Sequence, residues 1–397
     1  MAAQSLKSVS ILHIITRLDR GGSAEVVLDL AYRLARDFSS VILISGKTVD
    51  PPDGLDRYEQ RTGVRLLSLP ELVRNPSPIR DMLAFVKLVR LIRKYKPDIV
   101  HTHTSKAGII GRFAAFVAGV RTIVHTPHGH VFYGYYSRPV VMFFVLFERL
   151  AAHVTTVVTV LTERGKLDHL AMKIGTSAQY TVIPSGVDTR RFESGNGVRI
   201  RREMNWEDAT IVGWAGRLVP VKDCATFIGA AARIAEAYPD ARFCVAGNGE
   251  LRAELESLAS SLRLDGRIAF LGNRSDIQDI MASFDVFVLS SLNEGFGRVI
   301  VEAMSAGACV VATDVGGVAD IITDGESGLL VPKSSPQALA DAVGRVLDDE
   351  GLRELLKSGA TVESRRFDVT ETYIKYRSLY DSICRVDGDS GVSARHG

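Results

Sequence analysis

Short apolar runs rich in β-branched residues alternate with amphipathic segments along the whole chain. This alternation predicts parallel strands joined by crossover helices. Runs that are apolar at nearly every position indicate strands covered by helices on both faces. The predicted strands are, in order, Ser10–Ile15, Val41–Ser45, Val64–Leu69, Ile99–His103, Thr122–Thr126, Val157–Leu161, Tyr180–Ile183, Ile211–Ala215, Arg242–Ala246, Ile268–Leu271, Val286–Leu289, Cys309–Ala312 and Leu329–Val331.

This number of strands exceeds one ordinary sheet, so we expect an α/β protein with two doubly wound, Rossmann-like parallel sheets. The polar stretch 184–196 (PSGVDTRRFESGN) predicts the break, which places an N-terminal domain at 1–185 and a C-terminal domain at 186–369. The polar end of the chain, 386–397, is expected to be a disordered tail. Ligands of such sheets bind beyond the carboxyl ends of the strands, so two facing domains would form a central cleft.

The composition is that of a globular protein. The chain has 397 residues, of which 46% are hydrophobic and 24% charged, and these values exclude disordered and fibrous classes. Its four cysteines are widely spaced and form no CxxC, which fits neither a zinc ribbon nor a disulfide scaffold. The N-terminal MAAQSLKSVS leads into the first predicted strand without a secretory apolar region. We therefore expect a cytoplasmic protein.

One apolar stretch, 139–161, is long enough to span a membrane. Glu148, Arg149 and His153 lie near its middle, where charges are costly in a bilayer. The pattern therefore predicts a helix followed by a buried strand. Contact of part of this stretch with a membrane surface remains an alternative.

Charge is distributed unevenly along the chain. Residues 1–185 hold 24 Lys and Arg against 14 Asp and Glu, whereas residues 186–397 hold 24 against 32. The amphipathic segment 80–96 is strongly basic and could contact the anionic inner face of a membrane or a pyrophosphate-linked acceptor, or it could be a solvated surface helix. Nucleic-acid-binding signatures are absent from the sequence, so a nucleic-acid partner is not expected.

The segment 291–302, SLNEGFGRVIVE, follows a predicted strand and carries two carboxylates, Glu294 in a loop and Glu302 in a predicted helix. A helix N-terminus offers unpaired N–H groups and about half a positive charge, which suits a phosphate. Carboxylates accept hydrogen bonds from sugar hydroxyls, although the pair could also have only a structural role at the helix end. The amides expected at the helix start are those of Gly295, Phe296 and Gly297.

Two further loops follow predicted strands. In GRLVPVKD, Arg217 and Lys222 could neutralise a diphosphate, although surface charge is the simpler interpretation of two such residues. Gly21 and Gly22 follow the first strand, where they would let the backbone approach a ligand or would form a tight turn. The surrounding DRGGSAE is neither a GxGxxG nor a Walker A motif.

Histidines end two neighbouring predicted strands, in HTHTSKAG (101–108) and HTPHGH (125–130). Neither segment contains an acidic partner for a metal, and the single DxD, at 387–389, falls in the predicted tail. We therefore expect no metal cofactor, with diphosphate charge met by Arg217, Lys222 and helix dipoles. A histidine beside Gly129 could donate to a reacting sugar, whereas His101 could be a core histidine.

Taken in order, these segments resemble the GT-B-fold glycosyltransferases of family 4, the retaining group whose E-x7-E motif runs here from Glu294 to Glu302. The HTHTSKAGIIGR segment is most similar to the branch that builds bacterial capsule, exopolysaccharide or lipid-linked saccharides. The motifs that carry the resemblance are GG-x-x-E, HTHTSKAG, HTPHG, IPSGVD, GRLVPVKD, AGNGE, LG-x-R, EGFG…E and GG-x-x-D-I-I.

The resemblance implies a role for each matching position. Glu302 would hold the ribose, and Glu294 with the amides of Phe296 and Gly297 would hold the donor sugar. Arg217, Lys222 and the Gly22 loop would bind the diphosphate. His128 would lie beside the anomeric carbon, and Arg274 would lie near the base. A last helix at about 370–385 would return to the N-terminal domain.

The implied activity is a retaining, metal-independent transfer of a sugar from a nucleotide-diphosphate donor to a lipid-linked or saccharide acceptor. A UDP-sugar is expected rather than a GDP-sugar. One alternative is a nucleotide-sugar 2-epimerase on the same fold, which would need acid and base carboxylates that the N-terminal motifs lack. The other is a non-catalytic protein that binds sugar nucleotides.

Overall fold

The computed structural model describes residues 6–52, 54–129 and 138–390. Contacts between Cα atoms divide the chain into two compact units. The first comprises the residues up to Pro184 together with those from Thr372 onward, and the second is Ser185–Glu371. This division falls one residue before the predicted boundary.

The first unit is built on a parallel sheet of seven strands. Their order across the sheet is β3-β2-β1-β4-β5-β6-β7, so the direction of winding reverses between β1 and β4. In sheets of this kind, ligands bind beyond the carboxyl ends of the strands at that reversal. The strands are β1 (Ser10–Ile15), β2 (Ser40–Ser45), β3 (Arg65–Ser68), β4 (Ile99–His103), β5 (Thr122–Thr126), β6 (Val157–Val160) and β7 (Tyr180–Val182).

Alternate residues of these strands enter two cores. In β1, Ile11 and Ile15 pack on one face, and Leu12 and Ile14 on the other. Burial on both faces explains why the sequence of the strands is apolar without a polar alternation. The helices of this part of the chain are α1 (Gly22–Leu34), α2 (Tyr58–Thr62), α3 (Pro78–Tyr95), α4 (Ser105–Ala118), α5 (Arg138–Ala152) and α6 (Glu163–Ala171).

The second unit repeats the plan with six parallel strands in the order β10-β9-β8-β11-β12-β13, which reverses between β8 and β11. The strands are β8 (Thr210–Ala215), β9 (Ala241–Ala246), β10 (Ile268–Gly272), β11 (Val286–Leu289), β12 (Cys309–Thr313) and β13 (Leu329–Val331). The helices are α7 (Thr189–Glu193), α8 (Gly197–Glu203), α9 (Cys224–Ala237), α10 (Arg252–Ser261), α11 (Ile277–Ala282), α12 (Arg298–Ser305), α13 (Pro336–Asp348) and α14 (Glu350–Arg365).

Every predicted strand is confirmed, with each end within one residue of its expected position. The apolar stretch 139–161 is helix α5 followed by strand β6, as predicted. Among the described helices, none has both the length and the apolar composition needed to cross a membrane.

Helix α15 (Val369–Ser390) starts at the end of the second unit and packs on the first. Tyr376 and Tyr380 of this helix are buried in the core that contains β1 and β4. The prediction that residues from 386 onward form a disordered tail is wrong for 386–390, which are helical. The packed part of the helix supplies the nucleus and no proline interrupts residues 386–390, so the helix extends without a new nucleation cost. Residues 391–397 lie outside the described part.

Candidate active site

The reversal point of the second sheet gathers the predicted donor-binding residues. Strands β8 and β11 are neighbours, and the loop that follows each strand carries a predicted site residue. The ammonium of Lys222, after β8, pairs with a carboxylate oxygen of Glu294, after β11. Tertiary structure therefore brings together two residues that are 72 positions apart in the sequence.

The loop after β8 leads through a 3-10 turn, Pro220–Lys222, into helix α9. Asp223 caps that helix, because its carboxylate accepts from the backbone N–H of Thr226 at 3.3 Å. Arg217 is exposed and Lys222 is half-buried. The loop after β8 therefore exposes Arg217 to solvent, whereas Lys222 contacts Glu294 in the loop after β11.

Glu294 is only 7% exposed, although it is acidic and lies in a loop. The hydroxyl of Ser291 donates to Oε1 of Glu294 at 2.7 Å, and the Lys222 ammonium shares the same oxygen. The backbone N–H of Gly317 donates to the Glu294 carbonyl at 3.1 Å. A Cβ at Gly316 would lie 1.9 Å from that carbonyl oxygen, so the close approach requires glycine.

Helix α12 begins directly after this loop. Its N-cap, Gly297, has φ +87° and no side chain that could cap the helix, so the first turn presents backbone N–H groups and the positive end of the helix dipole. Phe296 is buried edge-on against Phe367, with ring centroids 5.3 Å apart. Glu302 lies in the second turn, and its Oε1 is 4.0 Å from a guanidinium nitrogen of Arg298. Gly295, Phe296 and Gly297 therefore lead into the helix start as predicted.

Arg274 follows β10 at the same edge of the sheet, within a cluster of charges. Its guanidinium donates to Glu203 at 2.6 and 3.0 Å and to Asp276 at 2.9 and 2.8 Å. The hydrogen bonds from Arg274, and then from Arg199, hold the pKa of Asp276 well below its usual range. The expected position near the base stays a prediction.

In the first unit, the loop after β1 carries Gly21 and Gly22. Gly21 has φ +146° and precedes helix α1, which starts at Gly22. A side chain at Gly21 would meet no atom within 4 Å, so the positive φ rather than crowding is what favours glycine there. The structure thus places both glycines at a strand-to-helix turn.

The histidines at the ends of β4 and β5 have different environments. His101 is fully buried, and its two ring nitrogens lie 2.6 Å from the Tyr380 hydroxyl and 2.7 Å from the Thr126 hydroxyl. The interpretation of His101 as a core histidine is confirmed. His125 is also buried and lies 2.9 Å from the Thr102 hydroxyl. His130 lies outside the described residues.

His103 lies between two other histidines. Its Nδ1 is 2.9 Å from Nε2 of His128, and its Nε2 is 2.9 Å from Nδ1 of His13. Burial lowers the pKa of His13 to about 3 and lowers the pKa of His103 well below its ordinary value. Sequence reasoning missed His13, whose only signal was one polar residue inside the apolar strand SILHII.

The candidate ligand nitrogens of His13, His101 and His103 lie within 4.8 Å of one another, a spacing compatible with a metal. However, both nitrogens of His101 and both of His103 already have hydrogen-bond partners. The group is thus arranged as a hydrogen-bond network rather than as a preformed set of ligands.

Doubly wound sheets of this order, with cations and a helix N-terminus at the reversal point, are the frame of enzymes that bind phosphorylated nucleotides. Residues 20–191 match the model of Glycosyltransferase Family 4, and residues 199–362 match that of Glycosyl transferases group 1. The two matches cover successive parts of the chain. The chain therefore belongs to these families of glycosyltransferases and is an enzyme that transfers a sugar.

Two bacterial relatives match this chain over most of their own length. The UDP-Gal:alpha-D-GlcNAc-diphosphoundecaprenol alpha-1,3-galactosyltransferase of Escherichia coli is 33% identical over 80% of this chain and 84% of its own. The capsular polysaccharide biosynthesis glycosyltransferase CapM of Staphylococcus aureus is 25% identical over 77% of this chain and 82% of its own.

Solved structures support the same fold. Anabaena Alr3699/HepE, crystallised with UDP-glucose, superposes with a TM-score of 0.78 at 24% identity, covering 94% of this chain and 99% of that one. The lipopolysaccharide glycosyltransferase WaaG superposes with a TM-score of 0.73 at 19% identity, covering 94% and 99%. The GT-B fold expected from the sequence is therefore confirmed.

Proposed function

We propose that this enzyme transfers a sugar from a UDP-linked donor to a saccharide carried on a lipid diphosphate, with retention of anomeric configuration and without a metal ion. The observation that carries the proposal is the Lys222–Glu294 pair beside the N-terminus of α12, at the reversal between β8 and β11. The activity of the E. coli relative, which uses UDP-Gal and a GlcNAc-diphosphoundecaprenol acceptor, supports the donor and acceptor classes.

The pair explains how the site is prepared for the donor. Without substrate, the Lys222 ammonium and the Glu294 carboxylate neutralise each other in a site that is largely shielded from water. A diphosphate would replace Glu294 as the partner of the Lys222 ammonium and would also bind Arg217 and the α12 amides. The carboxylate of Glu294, still oriented by Ser291, would then accept hydrogen bonds from sugar hydroxyls, and Glu302 would bind the ribose.

Retention would follow from a front-face displacement. The bond from the acceptor oxygen to C1 forms on the face where the bond from C1 to the phosphate oxygen breaks. The acceptor hydroxyl gives its proton to the leaving phosphate, so no protein base is required. Fixed positive charge at that phosphate stabilises the transition state, and removal of one such contact typically lowers kcat by about 10²–10³. Because two side-chain cations and a helix terminus supply this charge, we propose that no divalent ion is needed.

A lipid-linked acceptor requires the enzyme to reach a membrane, and the first unit offers a surface for this contact. Helix α3 carries exposed cations, including Arg80 and Arg90, and α5 exposes a row of apolar side chains. Basic residues attract anionic lipids, and apolar residues add burial in the interface. We propose that the protein works on the cytoplasmic face of the membrane. The exposed apolar residues of α5 are Val140, Met142, Phe143, Leu146 and Leu150.

The test is a transfer assay on purified enzyme with GlcNAc-diphosphate on a short polyprenol. UDP-Gal, UDP-Glc, UDP-GlcNAc and GDP-Man are offered separately, with and without EDTA, and NMR assigns the anomeric configuration of the product. We expect transfer from a UDP-sugar that survives EDTA and gives the α-product from an α-linked donor. Transfer only from GDP-Man, loss of activity with EDTA or an inverted product would each contradict the corresponding part of the proposal.

Matched variants connect the activity to the site. Lys222→Ala is expected to lower kcat by about 10²–10³. Lys357→Ala removes a more exposed lysine of the same unit, on helix α14, and should leave transfer unchanged. Equal activity of the two variants would contradict the assignment of Lys222 to the donor site.

A further inference from the structure

Three histidines form a continuous chain from the core of the first sheet to its carboxyl edge. His13 of β1 contacts His103 at the end of β4, and His103 contacts His128 after β5, each through ring nitrogens 2.9 Å apart. His13 and His103 are fully buried, whereas His128 is half-buried. Only the outer member of the chain is therefore partly open to solvent.

The proton positions of the three histidines are linked. A neutral imidazole carries one N–H, so it can donate through one nitrogen while the other accepts. Desolvation keeps His13 and His103 neutral, since it lowers the pKa of both. Each contact then needs one N–H and one acceptor. The tautomer of His13 therefore determines the tautomers of His103 and of a neutral His128.

The inner end of the chain selects one of the two possible arrangements. Nε2 of His13 is buried and has no hydrogen-bond partner among the described residues. Among buried backbone groups, an N–H without a partner is rarer than an under-satisfied acceptor, and the same preference applied to an imidazole disfavours a proton on Nε2 of His13. His13 is therefore protonated on Nδ1 and donates to His103. His103 in turn donates from Nδ1 to Nε2 of His128, which leaves the proton of a neutral His128 on Nδ1.

The backbone holds the outer end of the chain in an unusual conformation. His128 has φ +56°, and Thr104, which follows β4, has φ +63°. Non-glycine residues rarely adopt such angles unless the surrounding structure enforces them. At Thr104 the hydroxyl of Thr16 provides a fixed partner at 2.7 Å. Strain at two neighbouring strand ends thus accompanies the contact between His103 and His128.

We propose that His13 and His103 are positioning residues that hold His128 as a neutral hydrogen-bond donor, protonated on Nδ1, for the sugar-transfer reaction. For His128 to lose the Nδ1 proton and carry it on Nε2, both inner histidines would have to reverse, which would place an unpaired N–H in the core. The chain thereby suits His128 to donate to an oxygen of the reacting sugar rather than to act as a base. This inference rests on the proposed function and on the position beside the anomeric carbon that the family resemblance implies for His128.

The tautomer is measured first, on the full-length protein and without any substrate. Long-range ¹H–¹⁵N correlation spectra assign each histidine nitrogen as protonated or unprotonated, and a His128→Gln sample identifies the signals of His128. We expect a protonated Nδ1 and an unprotonated Nε2 at His128. A protonated Nε2 would overturn the proposal whatever the enzyme's activity.

The link to catalysis is tested with two substitutions of His13. His13→Asn keeps an N–H donor at a similar distance from the backbone, whereas His13→Leu removes it and keeps an apolar core residue. In His13→Leu we expect His128 to become a mixture of tautomers and kcat to fall roughly 10–100-fold, with KM for the donor little changed. This loss is smaller than the roughly 10²–10⁴-fold contribution of a proton donor, because part of the His128 population keeps the productive tautomer. His13→Asn should recover most of kcat.

The outcomes separate this inference from the proposed function. Equal kcat values for His13→Leu and the unmodified enzyme would overturn the inference while leaving the transfer reaction intact. If no nucleotide sugar is a donor for the unmodified protein, the proposed function fails, and with it the catalytic part of the inference. The spectra would still decide the proton positions in that case, including when His13→Leu does not fold.

Discussion

The hydroxyl of Tyr380 lies 2.6 Å from Nδ1 of His101, although 279 positions separate the two residues in the sequence. Both side chains are fully buried, and Thr126 occupies the other ring nitrogen of His101. Helix α15 is therefore attached to the first sheet by a buried polar contact in addition to its apolar packing.

We expect Tyr380→Phe to destabilise the protein by about 1–3 kcal/mol, since the substitution leaves a buried ring nitrogen of His101 without its partner. For a unit of this size each kcal/mol lowers Tm by roughly 2–4 °C. Tyr373→Phe is the control, because the Tyr373 hydroxyl contacts Asp37 in a less buried setting. We expect a smaller fall in Tm for Tyr373→Phe. A larger fall in Tm for Tyr373→Phe than for Tyr380→Phe would contradict this expectation.

Gly316→Ala is expected to disturb the position of Glu294. A Cβ at residue 316 would lie 1.9 Å from the Glu294 carbonyl oxygen, so the loop would have to move. Gly325→Ala is a matched control, since Gly325 also has positive φ but a Cβ there meets no atom within 4 Å. The strain at either φ costs roughly 1–2 kcal/mol. We expect the free energy of unfolding to fall by at least that amount in both variants. Only Gly316→Ala should also lower kcat by more than about tenfold. Transfer assays and thermal unfolding measure the two effects.

The buried pair of Arg112 and Glu148 provides a test of charge burial. Nη2 of Arg112 lies 2.5 Å from Oε2 of Glu148, and the arginine side chain is fully buried. Glu148→Gln leaves that charge uncompensated and should cost about 3–5 kcal/mol. The double variant Arg112→Met with Glu148→Leu should recover most of the loss in denaturant unfolding. A double variant as unstable as Glu148→Gln alone would show that the pair contributes more than charge compensation.

Stability should fall on mild acidification because of the buried histidines. Burial lowers the pKa of His13, His101, His103 and His125 in the folded state, whereas the unfolded chain titrates near 6.5. Below that pH the unfolded state binds more protons, so each histidine removes up to about 1.4 kcal/mol per pH unit. Tm measured between pH 8 and pH 5 should therefore be flat above about 7 and decline below about 6.5. His13→Asn should reduce the decline, and an unchanged Tm down to pH 5 would contradict the buried, neutral state.

Much of the fold could be predicted from local patterns. Strands buried on both faces require apolar residues at successive positions, so β1, β4 and β11 could be located to within a residue. The loops with chemistry could also be located, because ligand-binding residues follow strands in sheets of this kind. The predicted tail is wrong at 386–390, since a polar composition there is compatible both with disorder and with the extension of a helix that packs through its earlier residues.

The sequence by itself determined the order of strands and helices, the approximate division into two units and the presence of basic, acidic and histidine side chains after strands. Those properties depend on residues close together along the chain. Only the tertiary structure decided that Lys222 pairs with Glu294, that His13 contacts His103 and that His103 contacts His128. These contacts depend on neighbouring strands that come from distant segments of the sequence. Register aligns His13 of β1 with His101 of β4, and this alignment, together with burial, brings His13 and His103 into contact and keeps them uncharged.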